Sequence, residues 1–191
     1  MITCFCLTHV GEFRYLSDLQ LDVKRYLQCH HRNNSHVFYE VDCTSEDLVF
    51  LKLKYPEIKT YNEMMQTPEL VYYYASDVIK SRWPEAEPYI MKDLLWAHYY
   101  ARDIIKGRWP EAEPYIMKDS KVAYMYAKYV IQRSWQEAEP YIMKDSKVAY
   151  MYAKYVIQRS WPEAEPYIQQ DINYWINYQD YINDNKWPFT K

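Results

Sequence analysis

Through the C-terminal two-thirds of the chain, apolar positions recur in two alternating stripes. A short stripe, Ala86, Tyr89 and Ile90, falls at i, i+3 and i+4. A longer one, Val71, Tyr74, Ala75, Val78 and Ile79, keeps that spacing over about two turns. Both patterns put the apolar side chains on one face of an α-helix. The longer stripe returns as Ala97, Tyr100, Ala101, Ile104 and Ile105, and again as Ala123, Tyr126, Ala127, Val130 and Ile131. Short and long helices are therefore expected to alternate.

The alternation is a tandem repeat. Trp83, Trp109, Trp135, Trp161 and Trp187 lie 26 residues apart. Proline follows four of them, at 84, 110, 162 and 188, and Gln136 follows the other. Glu111 to Trp135 is identical to Glu137 to Trp161, which points to a recent duplication. Proline holds the preceding Trp extended and then fits the first turn of a helix, where Glu85 and Glu87 complement the dipole. The first helix of that unit is predicted from about 86 to 92. Thr67, Asp93, Asp119, Asp145 and Asp171 form a second column of period 26, and all are good N-cap residues for the longer helix.

Helices this short are marginal in water, and one hairpin buries too little apolar area to stand alone. Stacked copies cover one another's faces. The fold class expected is mainly α: a right-handed α-solenoid of about five 26-residue helix-turn-helix repeats, with Trp plugging each seam. The array is expected over residues 44–191, with a degenerate first unit at 44–67 (Tyr55-Pro56-Glu57 in place of Trp-Pro-Glu), regular units at 68–171 and a C-terminal cap at 172–191. Thr44 or Ser45 is the expected cap of a helix over 46–54. Asn173, Asn177 and Asn183 make the last helix more polar, as a terminal unit should be.

Residues 1–43 differ from the array. Ile2 to Thr8 and His36 to Asp42 read as strands by β-branched and aromatic content. Between them, Ser17 is placed to cap a helix with Leu19, Val23, Tyr26 and Leu27 on one face. A small strand-helix-strand α/β cap is expected.

Composition narrows the function. Gly11 and Gly107 are the only glycines among 191 residues, so no phosphate-cradling loop, dinucleotide fingerprint or nucleophile elbow can be written. Net charge is −3 with no block of one sign, which argues against a polyanion-binding tail. No run approaches the ~20 apolar residues of a membrane span. Met1 to Leu7 is short and lacks a basic leader, so no secretory signal is expected. Cys4, Cys6, Cys29 and Cys43 all precede the repeats, and a reduced, cytoplasmic protein is the expectation.

The phrase Trp-Pro-Glu-Ala-Glu-Pro-Tyr-Ile, followed by an Asp cap and Ala-Tyr-x-Tyr-Ala, resembles short tandem repeats in uncharacterised proteins of tailed bacteriophages and some bacteria. The resemblance covers about residues 68–188 and implies a phage or prophage origin, with the host cytoplasm as the location. It implies no activity and carries over no functional residues. The likeness to tetratricopeptide and Sel1-type repeats is architectural, since those units are longer.

On a helical wheel with Val71 at zero, residue 73 lies at about 200°, opposite the core stripe. Its column is Tyr73, Tyr99, Met125, Met151 and Asn177, flanked by Tyr72, His98, Tyr124 and Tyr150 on one side and by Asp77, Asp103, Tyr129 and Tyr155 on the other. Tyr and Met are enriched at interface cores. Exposed, this column is a protein-binding face; packed between helices, it is ordinary core with hydroxyls at the water edge. The expected function is a non-enzymatic protein-binding scaffold, one version being an accessory protein that blocks a host factor.

Two other classes stay open. Lys80, Lys106, Arg82 and Arg108 are candidates for phosphate contact in a nucleic-acid or nucleotide binder. Cys4, Cys6, His9, Cys29, His30, His31, His36 and Cys43 have the composition of a zinc or thiol site, although their spacing matches no standard knuckle. No cofactor or metal is expected. The recurrent Glu85 and Glu87 are assigned to the helix dipole and not to acid–base work.

Overall fold

The computed structural model describes residues 2–5, 23–31, 34–56 and 58–185. The chain is mainly helical and divides into two compact units, Met1–Ile90 and Met91–Lys191. No helix among the described residues is long and apolar enough to cross a membrane.

Met1–Ile90 contains a four-stranded antiparallel sheet in the order β2-β3-β1-β4, from β1 (Ile2–Phe5), β2 (Val23–His31), β3 (Asn34–Cys43) and β4 (Lys59–Thr60). The strands expected near 2–8 and 36–42 are present as β1 and β3. The helix expected to reach Leu27 is not: Val23, Tyr26 and Leu27 lie in β2, with Tyr26 opposite Tyr39 and Leu27 opposite Phe38. Those three positions fit a helical face. Pairing with the long strand β3 supplies backbone hydrogen bonds that override the local helical spacing. Ser17 and Leu19 lie outside the described residues.

Helix α1 (Ser45–Lys54) begins with a capping box, Thr44 with Asp47. A second box, Thr60 with Glu63, starts α2 (Tyr61–Met65). Helix α3 (Pro68–Tyr73) has proline at its first position, yet Thr67 does not cap it. Its hydroxyl donates to the Glu63 carbonyl instead. The unit ends in α4 (Glu87–Ile90). Its core includes Leu51, Met64, Val71, Ala75 and Ile90, and buried Trp83 lies against the rings of Tyr61 and Tyr74.

Among the described residues, Met91–Lys191 has four long and three short α-helices: α5 (Leu94–Tyr100), α6 (Glu113–Ile116), α7 (Ser120–Tyr126), α8 (Glu139–Ile142), α9 (Ser146–Tyr152), α10 (Glu165–Ile168) and α11 (Ile172–Asp184). Asp93, Asp119, Asp145 and Asp171 all accept backbone N–H bonds at the starts of the long helices, as their column predicts. Each short helix packs on the long helix before it and the long helix after it, and successive long helices pack side by side. Ala123, Tyr126 and Ala127 are wholly buried, as are their equivalents Ala97, Tyr100 and Ala101 and Ala149, Tyr152 and Ala153. Alanine at two of these three positions lets the helices approach closely.

One feature departs from a regular helical wheel. Helices α3, α5, α7 and α9 each continue as a π-helical turn, at Tyr74–Ile79, Ala101–Ile105, Ala127–Ile131 and Ala153–Ile157. Each ends on a left-handed residue that is not glycine: Lys80, Lys106, Gln132 and Gln158, with φ of 56–58°. Widening the turn rotates the last residues of the predicted stripe. Val78, Ile79, Ile104, Ile105, Val130 and Ile131 are accordingly only half-buried, while Val71, Ala75 and the first three positions of the next two stripes hold the core.

Candidate functional site

The interior of Met91–Lys191 is fixed by one repeated contact. The Tyr126 hydroxyl accepts a hydrogen bond from the Trp109 backbone nitrogen at 2.6 Å and donates to Glu113 Oε1 at 3.1 Å. Tyr152 does the same with Trp135 (2.6 Å) and Glu139 (3.3 Å), and Tyr178 with Trp161 (2.6 Å) and Glu165 (3.2 Å). The rings of Tyr126 and Tyr152 also lie 5.2 and 5.1 Å from Trp135 and Trp161. One tyrosine thus touches the Trp that opens its own repeat and the Trp that opens the next. Burial, and the carboxylate each hydroxyl faces, push all three phenols well above the ordinary tyrosine range.

This contact corrects the reading of the paired glutamates. Glu85, Glu111 and Glu137, the first of each pair, are exposed, but Glu87 and Glu113 are buried. Both are held by bidentate arginine pairs: Arg82 at 2.8 and 2.8 Å, Arg108 at 2.8 and 2.6 Å. The second glutamate therefore serves as an interior acceptor as well as a first-turn charge. The same pairs engage the guanidinium groups proposed for phosphate. Lys80 and Lys106 are exposed but sit at the left-handed corners.

The predicted partner-binding column divides. Tyr73, Tyr99, Met125 and Met151 are half-buried and Asn177 is exposed. Of the first flank, Tyr72 and Tyr150 are half-buried, whereas His98 and Tyr124 are buried and are not surface residues. One residue along a helix is a rotation of about 100°, which turns this flank toward neighbouring side chains. The Tyr150 ring stacks on Tyr174 of the next repeat at 6.3 Å, and His98 packs among Tyr99, Tyr126 and Tyr129. Both imidazole nitrogens of His98 are buried without a hydrogen-bond partner. Burial, and then the charge of Arg102, push its pKa down to about 4.

The other flank carries two exposed aromatic residues, Tyr129 (47 %) and Tyr155 (45 %), and Tyr115 on α6 is exposed as well. Two lysines not singled out in the sequence are set among these rings. Lys128 Nζ lies 4.5 Å from the ring centre of Tyr155 and 5.1 Å from that of Tyr129, and donates to the Tyr124 hydroxyl at 3.2 Å. Lys154 Nζ lies 5.6 Å from Tyr155 and 5.7 Å from Tyr181, and donates to the Tyr150 hydroxyl at 3.0 Å. Burial alone would lower the Lys128 pKa; the hydroxyls of Tyr124 and Tyr129 outweigh it and raise the net value. The signal available in the sequence was Tyr124–Lys128 and Tyr150–Lys154 at i, i+4. The Tyr155 contact with Lys128 comes from the neighbouring helix and had none.

Cys6 and His9 are beyond the described residues, while Cys4, Cys29, His30, His31 and His36 lie on strands, with Cys29 opposite His36. Cys43 is buried. Among the described residues no three His, Cys, Asp or Glu side chains are grouped to hold a metal. No family model, curated protein or solved structure matches the chain.

Proposed function

We propose that this chain is a non-enzymatic protein-binding scaffold, an α-solenoid whose stacked repeats in Met91–Lys191 display one helical face to a partner. The observation that carries this reading is the contrast between the two sides of each long helix. Inward, the same Tyr–Trp–Glu contact recurs in three successive repeats. Outward, Met125, Met151, Tyr129 and Tyr155 leave apolar and aromatic surface accessible. A repeated internal contact makes a rigid support, and adaptable Met beside Tyr is the composition of an interface.

Photo-crosslinking tests the assignment. A photoreactive residue at position 125 or 151 is expected to give discrete crosslinked products in host cells. The same residue at exposed 137 or 140, on the short-helix side, should give none. Equal labelling from both sides, or no product from 125 and 151, overturns it.

A further inference from the structure

Two adjacent long segments of Met91–Lys191 carry cations and no carboxylate. Residues 120–134 contain Lys121, Lys128 and Arg133 and no carboxylate; residues 146–160 contain Lys147, Lys154 and Arg159 and again none. Carboxylates cluster instead at the short helices, as at Glu137 and Glu139. Asp119 and Asp145 precede the long helices and are engaged with backbone N–H groups there. Arg133 and Arg159 are exposed and form no ion pair among the described residues, unlike Arg82 and Arg108. A chain of net charge −3 thus carries two adjacent segments charged only with cations, and the exposed rings of Tyr129 and Tyr155 lie against Lys128 and Lys154.

We propose that the face formed by Lys128, Tyr129, Lys154 and Tyr155 binds an extended acidic peptide segment of a protein partner. The proposal rests on the scaffold reading above and names its partner's chemistry. Each ammonium has three donors, and the tyrosine hydroxyls beneath Lys128 and Lys154 take one apiece. The remaining donors, with the Tyr129 and Tyr155 hydroxyls, suit carboxylates. Neighbouring helices pack about 8–10 Å apart, and a chain in polyproline-II conformation has three residues per turn and advances about 3.1 Å per residue, so acidic side chains three residues apart share a face and meet successive repeats. Single-stranded nucleic acid fits less well. It needs open aromatic faces for base stacking, whereas Lys128 Nζ already lies over Tyr155 and Tyr129.

The test is fluorescence anisotropy on the full chain with labelled oligoglutamate, a labelled Gly-Ser peptide and labelled oligothymidylate. Oligoglutamate is expected to bind best, more weakly as salt rises. Lys128→Gln with Lys154→Gln should weaken it about tenfold or more, and the control pair Lys118→Gln with Lys144→Gln should leave it within about twofold. If the first pair melts early by circular dichroism, Tyr129→Phe with Tyr155→Phe carries the same test, with about a threefold loss expected from the missing hydroxyl donors. Three results overturn the proposal: no oligoglutamate binding at low salt, equal losses in test and control pairs, or tighter binding of oligothymidylate. Crosslinks from positions 125 and 151 that persist while oligoglutamate fails to bind would sink the acidic partner alone; loss of those crosslinks sinks the scaffold reading itself.

Discussion

The hydroxyl of Tyr152 accepts the backbone N–H of Trp135 at 2.6 Å, while its ring rests 5.1 Å from Trp161. Two repeats are joined through one side chain. Trp135 precedes a segment that would otherwise leave its amide buried without a partner, because no helix supplies an acceptor there.

Tyr152→Phe keeps the ring but strands that amide and removes the donor to Glu139. It is expected to destabilise the chain by about 1–3 kcal/mol, as for a buried group deprived of its partner. Tyr155→Phe, at an exposed position, should stay within about 0.5 kcal/mol of the parent. Urea denaturation followed by circular dichroism measures both. A Tyr152→Phe variant as stable as the parent would show that the hydroxyl contact with Trp135 and Glu139 is incidental.

The left-handed corners give a prediction of opposite sign. Gln132 and Gln158 have φ of 58° and 56°, a region that costs a residue with a Cβ about 1–2 kcal/mol. Glycine removes that cost, and its greater freedom in the unfolded chain takes back about 0.5–1 kcal/mol. Gln132→Gly should therefore raise the denaturation midpoint by an amount worth about 0.5–1 kcal/mol. The same change at Gln158 should add to it. A lowered midpoint for Gln132→Gly would mean that the corner is not left-handed in solution.

His98 makes stability depend on pH. In the unfolded chain its imidazole protonates near 6.5; in the fold it stays neutral until about 4. Between those values the unfolded state binds the extra proton. The contribution is complete above about 6.5, is lost progressively as pH falls to about 4, and amounts to about 3 kcal/mol over the window. His98→Phe fits an aromatic pocket and should flatten the stability profile between those pH values. A parent protein whose denaturation midpoint does not change across that window would show that His98 is solvated.

How much of this was legible in the chain varies with how local each cause is. The Asp caps, the buried Ala-x-x-Tyr-Ala stripe and the alternation of short and long helices all follow from side chains within a turn or two of one another, and period-26 recurrence displays them several times. The β2 strand was not legible, because Val23, Tyr26 and Leu27 fall at helical spacing and the decision belongs to pairing with β3. Nor were the π turns, since no single residue type marks them.

The sequence alone determined that these helices are too short to be independent and must share an interior with their neighbours. Tertiary structure decided which tyrosine hydroxyl meets which Trp backbone, that Glu113 is an interior acceptor beside Arg108, and that His98 and Tyr124 turn inward while Tyr129 and Tyr155 remain in solvent. The physical reason is distance along the chain. Caps and stripes are set by neighbours a few residues away, but Tyr126 lies 17 residues from Trp109, and only the folding of the long helix back against the start of its own repeat brings the two together.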